Sequence, residues 1–245
     1  ADCGSTQYTT LPDNYAFDKT SLSSDYTYYC DNETVHGVEF PSLPSVDRSL
    51  SGHLVCDMSS NLFTRKVNIN DYGLIYSCAQ KNFGIAGLTI VIIKKELLGQ
   101  TRSIPSYLDY NYQHNGGSMA NTPPTFAIYA TQLVLKWIKE NGGVEEMNRR
   151  CLARSSKLYD VIDNSKIYSC PVMPHCRSRI NVVFRVKSDK ELEKKFVEGA
   201  ASLGLVGLSG HRSVGGIRAS IYNATSESTV DKLVNFMKEF ECNHS

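Results

Sequence analysis

Two short apolar runs on either side of a polar turn are the feature that most constrains the fold of this chain. The runs are residues 73–76 and 88–93, and the β-branched residues of the second run are typical of a buried strand. Lys81 lies in the turn between them. At a partly desolvated site the charged form of lysine is disfavoured, and the neutral amine can form a Schiff base with a carbonyl. From this segment alone, a surface lysine at a strand end is the commoner case.

The composition indicates a globular protein. The chain has 245 residues, of which 41% are hydrophobic, so it can bury a substantial core. Its 26 basic and 25 acidic residues nearly cancel, which gives no general attraction to nucleic acid or to an anionic membrane. No apolar run reaches the roughly 18 residues of a membrane helix. We therefore expect a soluble protein with neither a nucleic-acid nor a membrane partner.

The cysteines indicate a reducing compartment. The eight cysteines are scattered and contain no CxxC pair, which argues against a zinc site or a disulfide framework in a chain of this length. Residues 1–5 have neither the basic start nor the apolar run of a secretory signal. The sequence therefore predicts reduced thiols, no bound metal and a cytoplasmic location.

From residue 180 onward, the order of strands and helices predicts a small α+β domain, and the helix at 144–162 could connect it to another domain. Strands are predicted at 26–30, 33–40, 54–57, 73–76, 88–93, 180–186, 206–208 and 216–221. Helices are predicted after Pro123 and Pro124 and at 144–162, 189–203 and 227–240, and residues 1–25 and 100–120 are predicted to be loops. The first helix is predicted to carry an apolar stripe of Phe126, Tyr129, Leu133 and Trp137, and Trp137 is predicted to be part of the core.

Three features can be combined into one hypothesis. Asp57 follows an apolar strand, at the position where α/β folds place ligand chemistry. Lys81 lies in the next turn, and residues 210–218 are basic and rich in glycine. A pyridoxal phosphate enzyme needs a carboxylate for the ring nitrogen and a lysine for the cofactor, and Asp57 and Lys81 could supply both. Taken singly, residues 210–218 fit a solvated turn and residues 121–124 fit a simple helix cap.

Six segments carry a resemblance to a known family. They are residues 32–37 (Asn-Glu-Thr-Val-His-Gly), 57–61 (Asp-Met-Ser-Ser-Asn), 79–82 (Ala-Gln-Lys-Asn), 121–124 (Asn-Thr-Pro-Pro), 177–181 (Arg-Ser-Arg-Ile-Asn) and 210–216 (Gly-His-Arg-Ser-Val-Gly-Gly). In this order they closely resemble the phosphoserine aminotransferases, which are class V, fold-type I, pyridoxal phosphate-dependent enzymes. The similarity runs from about Tyr26 to the C-terminus. It implies an α/β fold in which residues 1–143 are part of the large cofactor-binding domain, a mostly parallel sheet with helices, and residues 144–245 are a connecting helix and a small α+β domain.

The resemblance implies a cofactor, a reaction and a role for each matching residue. Lys81 would form the Schiff base with pyridoxal 5'-phosphate and move the proton of the substrate α-carbon. The other implied cofactor contacts are Asp57 at the pyridinium, Thr34 and Gln80 near the ring, and Asn121 and Thr122 at the cofactor phosphate of a neighbouring subunit. The contacts of Asn121 and Thr122 with a neighbouring subunit imply a homodimer with shared active sites.

The implied substrates are small phosphorylated and dicarboxylic acids. His211 and Arg212 would bind the substrate phosphate, and Arg218 would hold anionic groups with its bidentate guanidinium. The implied reaction transfers an amino group between glutamate and 3-phosphohydroxypyruvate, giving O-phosphoserine and 2-oxoglutarate in serine biosynthesis.

The chain also departs from the family. No counterpart is identifiable for the family's early strands, phosphate-binding turn, stacking aromatic residue and carboxylate-binding arginine. Cys78 stands where a glycine is usual, and Ile85 where proline or a small residue is common. We expect either a fragment or a shortened relative, with exposed apolar sheet faces that make the chain poorly soluble or dependent on a partner. Two alternative functions remain: a catalytically silent binding or dimerising subunit, or another class V activity such as a serine-glyoxylate type enzyme.

Overall fold

Two β-sheets and five α-helices form the fold within the residues that the computed structural model describes, which are 4–12, 25–44, 52–100 and 103–244. The strands are β1 Tyr26–Cys30, β2 Asn32–Glu33, β3 Val38–Glu39, β4 His53–Asp57, β5 Leu74–Cys78, β6 Thr89–Ile93, β7 Tyr168–Ser169, β8 Asn181–Val186 and β9 Ile217–Ser220. The α-helices are α1 Tyr110–Asn115, α2 Thr125–Glu140, α3 Gly143–Asp163, α4 Lys190–Ser202 and α5 Glu227–His244. β2 and β3 form a separate small hairpin.

The N-terminal sheet has the strand order β1-β4-β5-β6. β1, β4 and β5 are parallel, and β6 is antiparallel to β5. Because the three parallel strands end at the same edge, Asp57 and the turn that follows β5 lie at one end of the sheet. The predicted strands at 26–30, 54–57 and 73–76 match β1, β4 and β5 within about two residues.

One face of this sheet is covered and the other is open. The covered face carries a hydrophobic cluster that includes Leu54, Cys56, Ile75 and Phe83. On the opposite face Tyr26 is 59% exposed and Tyr28 is 52% exposed. The prediction that residues 88–93 form a buried strand was wrong about burial. β6 is an edge strand paired only with β5, and none of its residues is buried.

The C-terminal sheet is an antiparallel layer with the order β7-β8-β9, packed with α3, α4 and α5. Its core cluster includes Leu158, Phe184, Phe196 and Met237. The predicted strand at 206–208 was wrong. In this segment Val206 is 79% exposed and Gly207 has φ +77°, which interrupts the extended backbone just before the Leu208 carbonyl, which accepts from the Arg218 amide of β9 at 2.8 Å.

The helix α2 presents most of its predicted apolar stripe to solvent. Phe126 is 73% exposed, Tyr129 55% and Leu133 48%. Trp137, predicted to be core, is half-buried. The buried residues of the helix are Ala127, Thr131 and Ile138. The predicted loop at 100–120 contains the short helix α1, whose first turn is capped by the Asp109 carboxylate.

Residues 33–40, predicted as one extended piece, form the β2–β3 hairpin instead. The chain reverses at residues 34–37, where Gly37 has φ +77°. A Cβ at Gly37 would lie 2.7 Å from the Asn181 carbonyl oxygen, so a close approach to β8 also requires glycine there. This hairpin places Thr34 between the two sheets.

The structure describes only part of the predicted N-terminal loop and seven of the eight cysteines. Of the predicted loop at 1–25, residues 4–12 and 25 are described, and Gly4–Thr6 form a 3-10 helix. Cys3 lies outside the described residues, and the other seven cysteines are free thiols. The domain division at residue 143 stays a prediction. Within the described ranges, no helix combines the length and the apolar character needed to cross a membrane.

Candidate active site

The turn after β5 fixes the position of Lys81. The Ala79 amide donates to the Leu88 carbonyl (3.0 Å), and the Phe83 amide donates to the Ala79 carbonyl (3.2 Å). Ala79 and Phe83 are fully buried and anchor the turn on the sheet cluster. Lys81 is half-buried between these anchors, and its Nζ donates to Thr34 Oγ1 at 3.0 Å. The structure thus directs the lysine amine at the turn between β2 and β3.

Thr34 also contacts the second cation of the site. Its carbonyl accepts a hydrogen bond from Arg218 Nη1 at 3.4 Å. Arg218 is in β9, so one threonine joins a lysine of the N-terminal sheet to an arginine of the C-terminal sheet. The Nε of Arg218 is buried and has no hydrogen-bond partner among the described residues. A buried guanidinium N–H without an acceptor is destabilising, and an anionic ligand would supply the acceptor.

Asp57 ends β4 at the same edge of the sheet. Its Oδ1 accepts from the Ser59 amide at 2.7 Å, which fixes the orientation of the carboxylate. In the parallel register Asp57 lies beside Tyr76 of β5, whose hydroxyl is 3.2 Å from that of Tyr28. Burial raises the pKa of Tyr76 well above its usual range, and its hydrogen bonds to Tyr28 and Asp57 act in the same direction. The Tyr76 hydroxyl therefore stays protonated beside Asp57.

The glycine-rich loop that precedes β9 is a tight turn. The Gly210 amide donates to the Gly216 carbonyl at 2.9 Å, and a Cβ at Gly210 would lie 2.0 Å from the Gly215 carbonyl oxygen. Within the loop, His211 Nδ1 is 2.7 Å from Ser213 Oγ, and Arg212 is exposed. The backbone therefore presents His211 and Arg212 at the end of the C-terminal sheet.

A cavity of about 630 Å³ lies between this loop and the β2–β3 turn. Arg218 lines it, together with His36 and Arg185, which the sequence analysis did not select. Arg185 is neutralised by Glu193, whose Oε1 accepts from its Nε at 2.6 Å. His36 could have been predicted from the sequence, because it lies inside the 32–37 segment that resembles the family. Arg185 could not, because it is a single charged residue within an apolar strand.

The remaining predicted residues lie apart from this group or at its margin. Gln80 is exposed on the Lys81 turn. Asn121 and Thr122 are exposed in the loop before α2, where Asn121 Oδ1 accepts from Gln113 Nε2 at 3.4 Å. Within the described ranges, no hydrogen bond joins these three residues to Lys81. The roles of all the predicted site residues stay predictions.

Comparisons with known proteins identify the family. The model of the aminotransferase class-V family matches residues 12–233. The chain belongs to this family. It is 48% identical over 239 residues to a phosphoserine aminotransferase of Coxiella burnetii, covering 97% of this chain and 65% of the relative. The resemblance to phosphoserine aminotransferases is confirmed.

Solved structures confirm the predicted fold class. The phosphoserine aminotransferase of Bacillus circulans subsp. alkalophilus superposes with a TM-score of 0.91 at 38% identity, covering 99% of this chain and 66% of that one. The enzyme of Trichomonas vaginalis with bound pyridoxal phosphate gives a TM-score of 0.85 at 40% identity, covering 93% of this chain and 64% of that one. The chain therefore has the α/β fold of these aminotransferases and spans about 65% of the length of the curated relatives it matches.

Proposed function

We propose that this chain carries the pyridoxal phosphate site of an aminotransferase that exchanges an amino group between glutamate and 3-phosphohydroxypyruvate. The products are O-phosphoserine and 2-oxoglutarate. The observation that carries the proposal is the bridge at Thr34, which holds the Lys81 amine through its hydroxyl and the Arg218 guanidinium through its carbonyl. This bridge puts an amine and an anion-binding group within reach of one small molecule.

The residues present fit pyridoxal phosphate. Asp57 offers an oriented carboxylate for the ring nitrogen, and Lys81 offers a primary amine at the same edge of the sheet. The similar Trichomonas vaginalis structure holds this cofactor. Among the described residues, no three His, Cys, Asp or Glu side chains lie close enough to hold a metal ion. The donor set is that of an organic cofactor with a basic ring nitrogen.

Each side chain of the site has a separate proposed role in the reaction. When bound, pyridoxal phosphate supplies the carbonyl carbon that accepts an amino group and the ring that withdraws electrons from the substrate α-carbon. Asp57 would hold a proton on the ring nitrogen, since a carboxylate stabilises the adjacent cation. Lys81 Nζ would hold the cofactor at rest and would move the proton of the substrate α-carbon during turnover. Thr34 Oγ1 orients the amine by accepting one of its hydrogens.

Substrate binding is assigned to the cationic side chains. Arg218 receives a substrate carboxylate, because its buried Nε lacks an acceptor and its planar fork matches a carboxylate. His211 and Arg212 receive the phosphate at the glycine-rich loop. Gln80 contacts the ring region from the exposed side of the lysine turn.

A second copy of the chain completes the proposed site. Asn121 and Thr122 are exposed, so they are free to reach the cofactor phosphate of a neighbouring subunit. The adjacent helix α2 exposes Phe126, Tyr129 and Leu133, which form an apolar surface of the kind that mediates subunit contact. We therefore assign a homodimer with shared active sites. The free thiols of the described cysteines support a cytoplasmic location.

Reductive trapping tests the cofactor assignment. The chain is incubated with pyridoxal phosphate, reduced with borohydride, digested and analysed by mass spectrometry. We expect the adduct at Lys81, and we expect it to be lost in Lys81→Arg, which keeps the charge. Lys94, which is also half-buried, serves as the internal control. A folded chain without an adduct at Lys81 would favour a catalytically silent binding subunit.

A substrate panel tests the reaction. Phosphoserine is expected to be the preferred amino donor with 2-oxoglutarate, ahead of serine, alanine and aspartate. Preference for serine with glyoxylate would instead indicate another class V activity.

A further inference from the structure

Buried asparagines connect the two sheets around the candidate site. The first is Asn32, which is 1% exposed. Its Nδ2 donates to Ser60 Oγ (2.7 Å) and to Asn181 Oδ1 (2.8 Å), and its Oδ1 accepts from Ser178 Oγ (2.6 Å). Ser60 belongs to the turn after β4, whereas Asn181 begins β8. One side chain thus fixes the start of the β2–β3 hairpin to both sheets.

Asn82 makes the second connection, directly after the reactive lysine in the chain. It is 6% exposed. Its Nδ2 donates to the Ser60 carbonyl at 2.7 Å, and its Oδ1 accepts from the Asn223 amide at 3.3 Å. The donor end of the amide therefore holds the N-terminal sheet, while the acceptor end holds the segment that follows β9. An alanine at this position would leave two buried backbone groups unpaired.

The segment that receives Asn82 is itself held firmly. Asn223 Nδ2 donates to the Phe63 carbonyl at 3.1 Å. Arg154 is 1% exposed, and its Nη1 donates to the carbonyls of Tyr222, Asn223 and Thr225. The Asn82 side chain is therefore attached to a segment after β9 that is itself fixed by hydrogen bonds from Asn223 and Arg154.

The hydrogen bond between Asn82 and Asn223 lies next to two residues of the candidate site. Lys81 and Asn82 are adjacent in the chain, and Arg218 is in the strand that precedes Asn223. A lysine side chain has four rotatable bonds, so its amine is held in place only if the backbone beneath it is fixed. We propose that Asn82 is a positioning residue: it fixes the lysine turn against the segment after β9, and so keeps Lys81 Nζ on Thr34 opposite Arg218. The catalytic meaning of this inference rests on the proposed function.

The test measures the reactivity of the Lys81 amine, which requires no cofactor. The full 245-residue chain is acetylated with a succinimidyl ester from pH 7 to pH 10, and the rate at each lysine is measured by mass spectrometry. In Asn82→Ala the released amine is expected to react about fivefold faster, which corresponds to the loss of one hydrogen bond of about 1 kcal/mol. The rates at the exposed lysines are expected to stay the same.

Asn148→Ala is the matched control. Asn148 Oδ1 accepts from Arg179 Nη1 at 2.6 Å, and among the described residues no hydrogen bond joins Asn148 to the lysine turn. This variant also loses an asparagine hydrogen bond, but away from the lysine turn, so it is expected to leave the Lys81 rate unchanged. An unchanged Lys81 rate in folded Asn82→Ala, or an equal rise in both variants, would overturn the inference. Asn82→Ser, which retains a hydroxyl, is expected to give a smaller rise and decides the question if the alanine variant does not fold.

The same preparations separate this inference from the proposed function. Trapping of pyridoxal phosphate at Lys81 is measured in parallel in the unsubstituted chain. If trapping fails, the proposed function is overturned, but the comparison of acetylation rates still decides the role of Asn82.

Discussion

Thr34 holds both cations of the candidate site, and it does so through different atoms. Its hydroxyl orients Lys81, and its carbonyl meets Arg218. The carbonyl contact leaves the Nε of Arg218 without an acceptor within the described ranges. Because this nitrogen is buried, the arginine is matched to an anion that the protein itself does not provide.

Arg218→Lys is predicted to weaken substrate binding more than it slows the chemical step. A lysine keeps the positive charge but loses the planar fork that binds a carboxylate through two hydrogen bonds. One charged hydrogen bond corresponds to a rise in the KM for glutamate of about tenfold to a hundredfold. Steady-state kinetics of the transamination check this result. The control is Arg185→Lys, which lines the same cavity but is neutralised by Glu193; an equal effect of both variants would contradict the assignment.

Gly37→Ala is predicted to destabilise the turn that carries Thr34. The residue has φ +77°, and its Cβ would lie 2.7 Å from the Asn181 carbonyl oxygen. Gly204→Ala is the control, because Gly204 has φ +80° but no atom within 4 Å of its Cβ position. In both variants the alanine must adopt a left-handed backbone, which lowers the stability by about 1–2 kcal/mol. Gly37→Ala should lose at least about 1 kcal/mol more than the control in urea unfolding.

Candidate site residues could be selected from the sequence, whereas their structural partners could not. Lys81, Asp57 and Arg218 stood out only in combination and through the family resemblance, since a lysine at a strand end is most often a surface residue, and their roles stay predictions. Asn82 and Asn223 are separated by 141 residues in sequence, yet they share a hydrogen bond. No local pattern encodes which buried amide meets which backbone group. The hydrogen bond between Asn82 and Asn223 therefore became visible only in the structure.

At the scale of elements, a glutamate in the first turn of α3 interacts both with the helix dipole and with two arginines. Glu146 lies in the first turn and accepts from Arg149 Nε at 2.8 Å and from Arg150 Nε at 2.9 Å. A negative charge in the first turn interacts favourably with the helix dipole. Hydrogen bonds from Arg149 and then Arg150 lower the pKa of Glu146 to about 2.

This shift predicts a pH-dependent contribution to stability. The folded pKa of about 2 is below the ordinary value of 4.5, so the stabilisation is complete above about pH 4.5 and disappears as the pH falls towards 2. Glu146→Gln should therefore slightly lower the urea midpoint at pH 7 and have no effect near pH 2. The control is Glu145→Gln, since the Glu145 carboxylate is exposed and 3.8 Å from Lys66. A difference that persists at pH 2 would contradict this explanation.

The elements differ in how well the sequence predicts them. The strands β1, β4 and β5 and the helices α3 and α4 follow from periodicity, because each buries one side against a core. β8 follows from its apolar run, since five of its six residues are buried. The segment 206–208 looked like a strand because it is apolar, but Gly207 has positive φ and Val206 faces solvent. The hairpin at 32–39 was missed because its reversal depends on Gly37 meeting β8. Contacts distant in sequence decide such elements.

At the scale of the whole molecule, two apolar surfaces are uncovered among the described residues. One is the open face of the N-terminal sheet, with Tyr26 and Tyr28 exposed. The other is the outer face of α2. The 3.6-residue period correctly indicated an apolar stripe on α2, but periodicity gives only the direction of a face and not what covers it. The expected low solubility of the isolated chain stays a prediction, and these surfaces are its physical reason.

The homodimer proposal leads to a prediction for Leu133, which is 48% exposed on α2. Leu133→Glu would place a charge in the centre of the proposed subunit contact, where desolvation opposes association. We expect the unsubstituted chain to show a concentration-dependent dimer in sedimentation velocity, and the variant to shift towards monomer by at least about tenfold in dissociation constant. Because the side chain is half-exposed in one subunit, the thermal stability of the monomer should change little.

Leu203→Glu is the matched control for this experiment. It makes the same substitution at a residue that is 41% exposed at the C-terminal end of α4, on a different element. The control is expected to dimerise like the unsubstituted chain, because the charge lies outside the α2 surface. If both variants dissociate equally, the charge acts through general repulsion and α2 is not the contact. A chain that stays monomeric at all concentrations would leave Asn121 and Thr122 without a neighbouring site, so the shared active site would have to be abandoned.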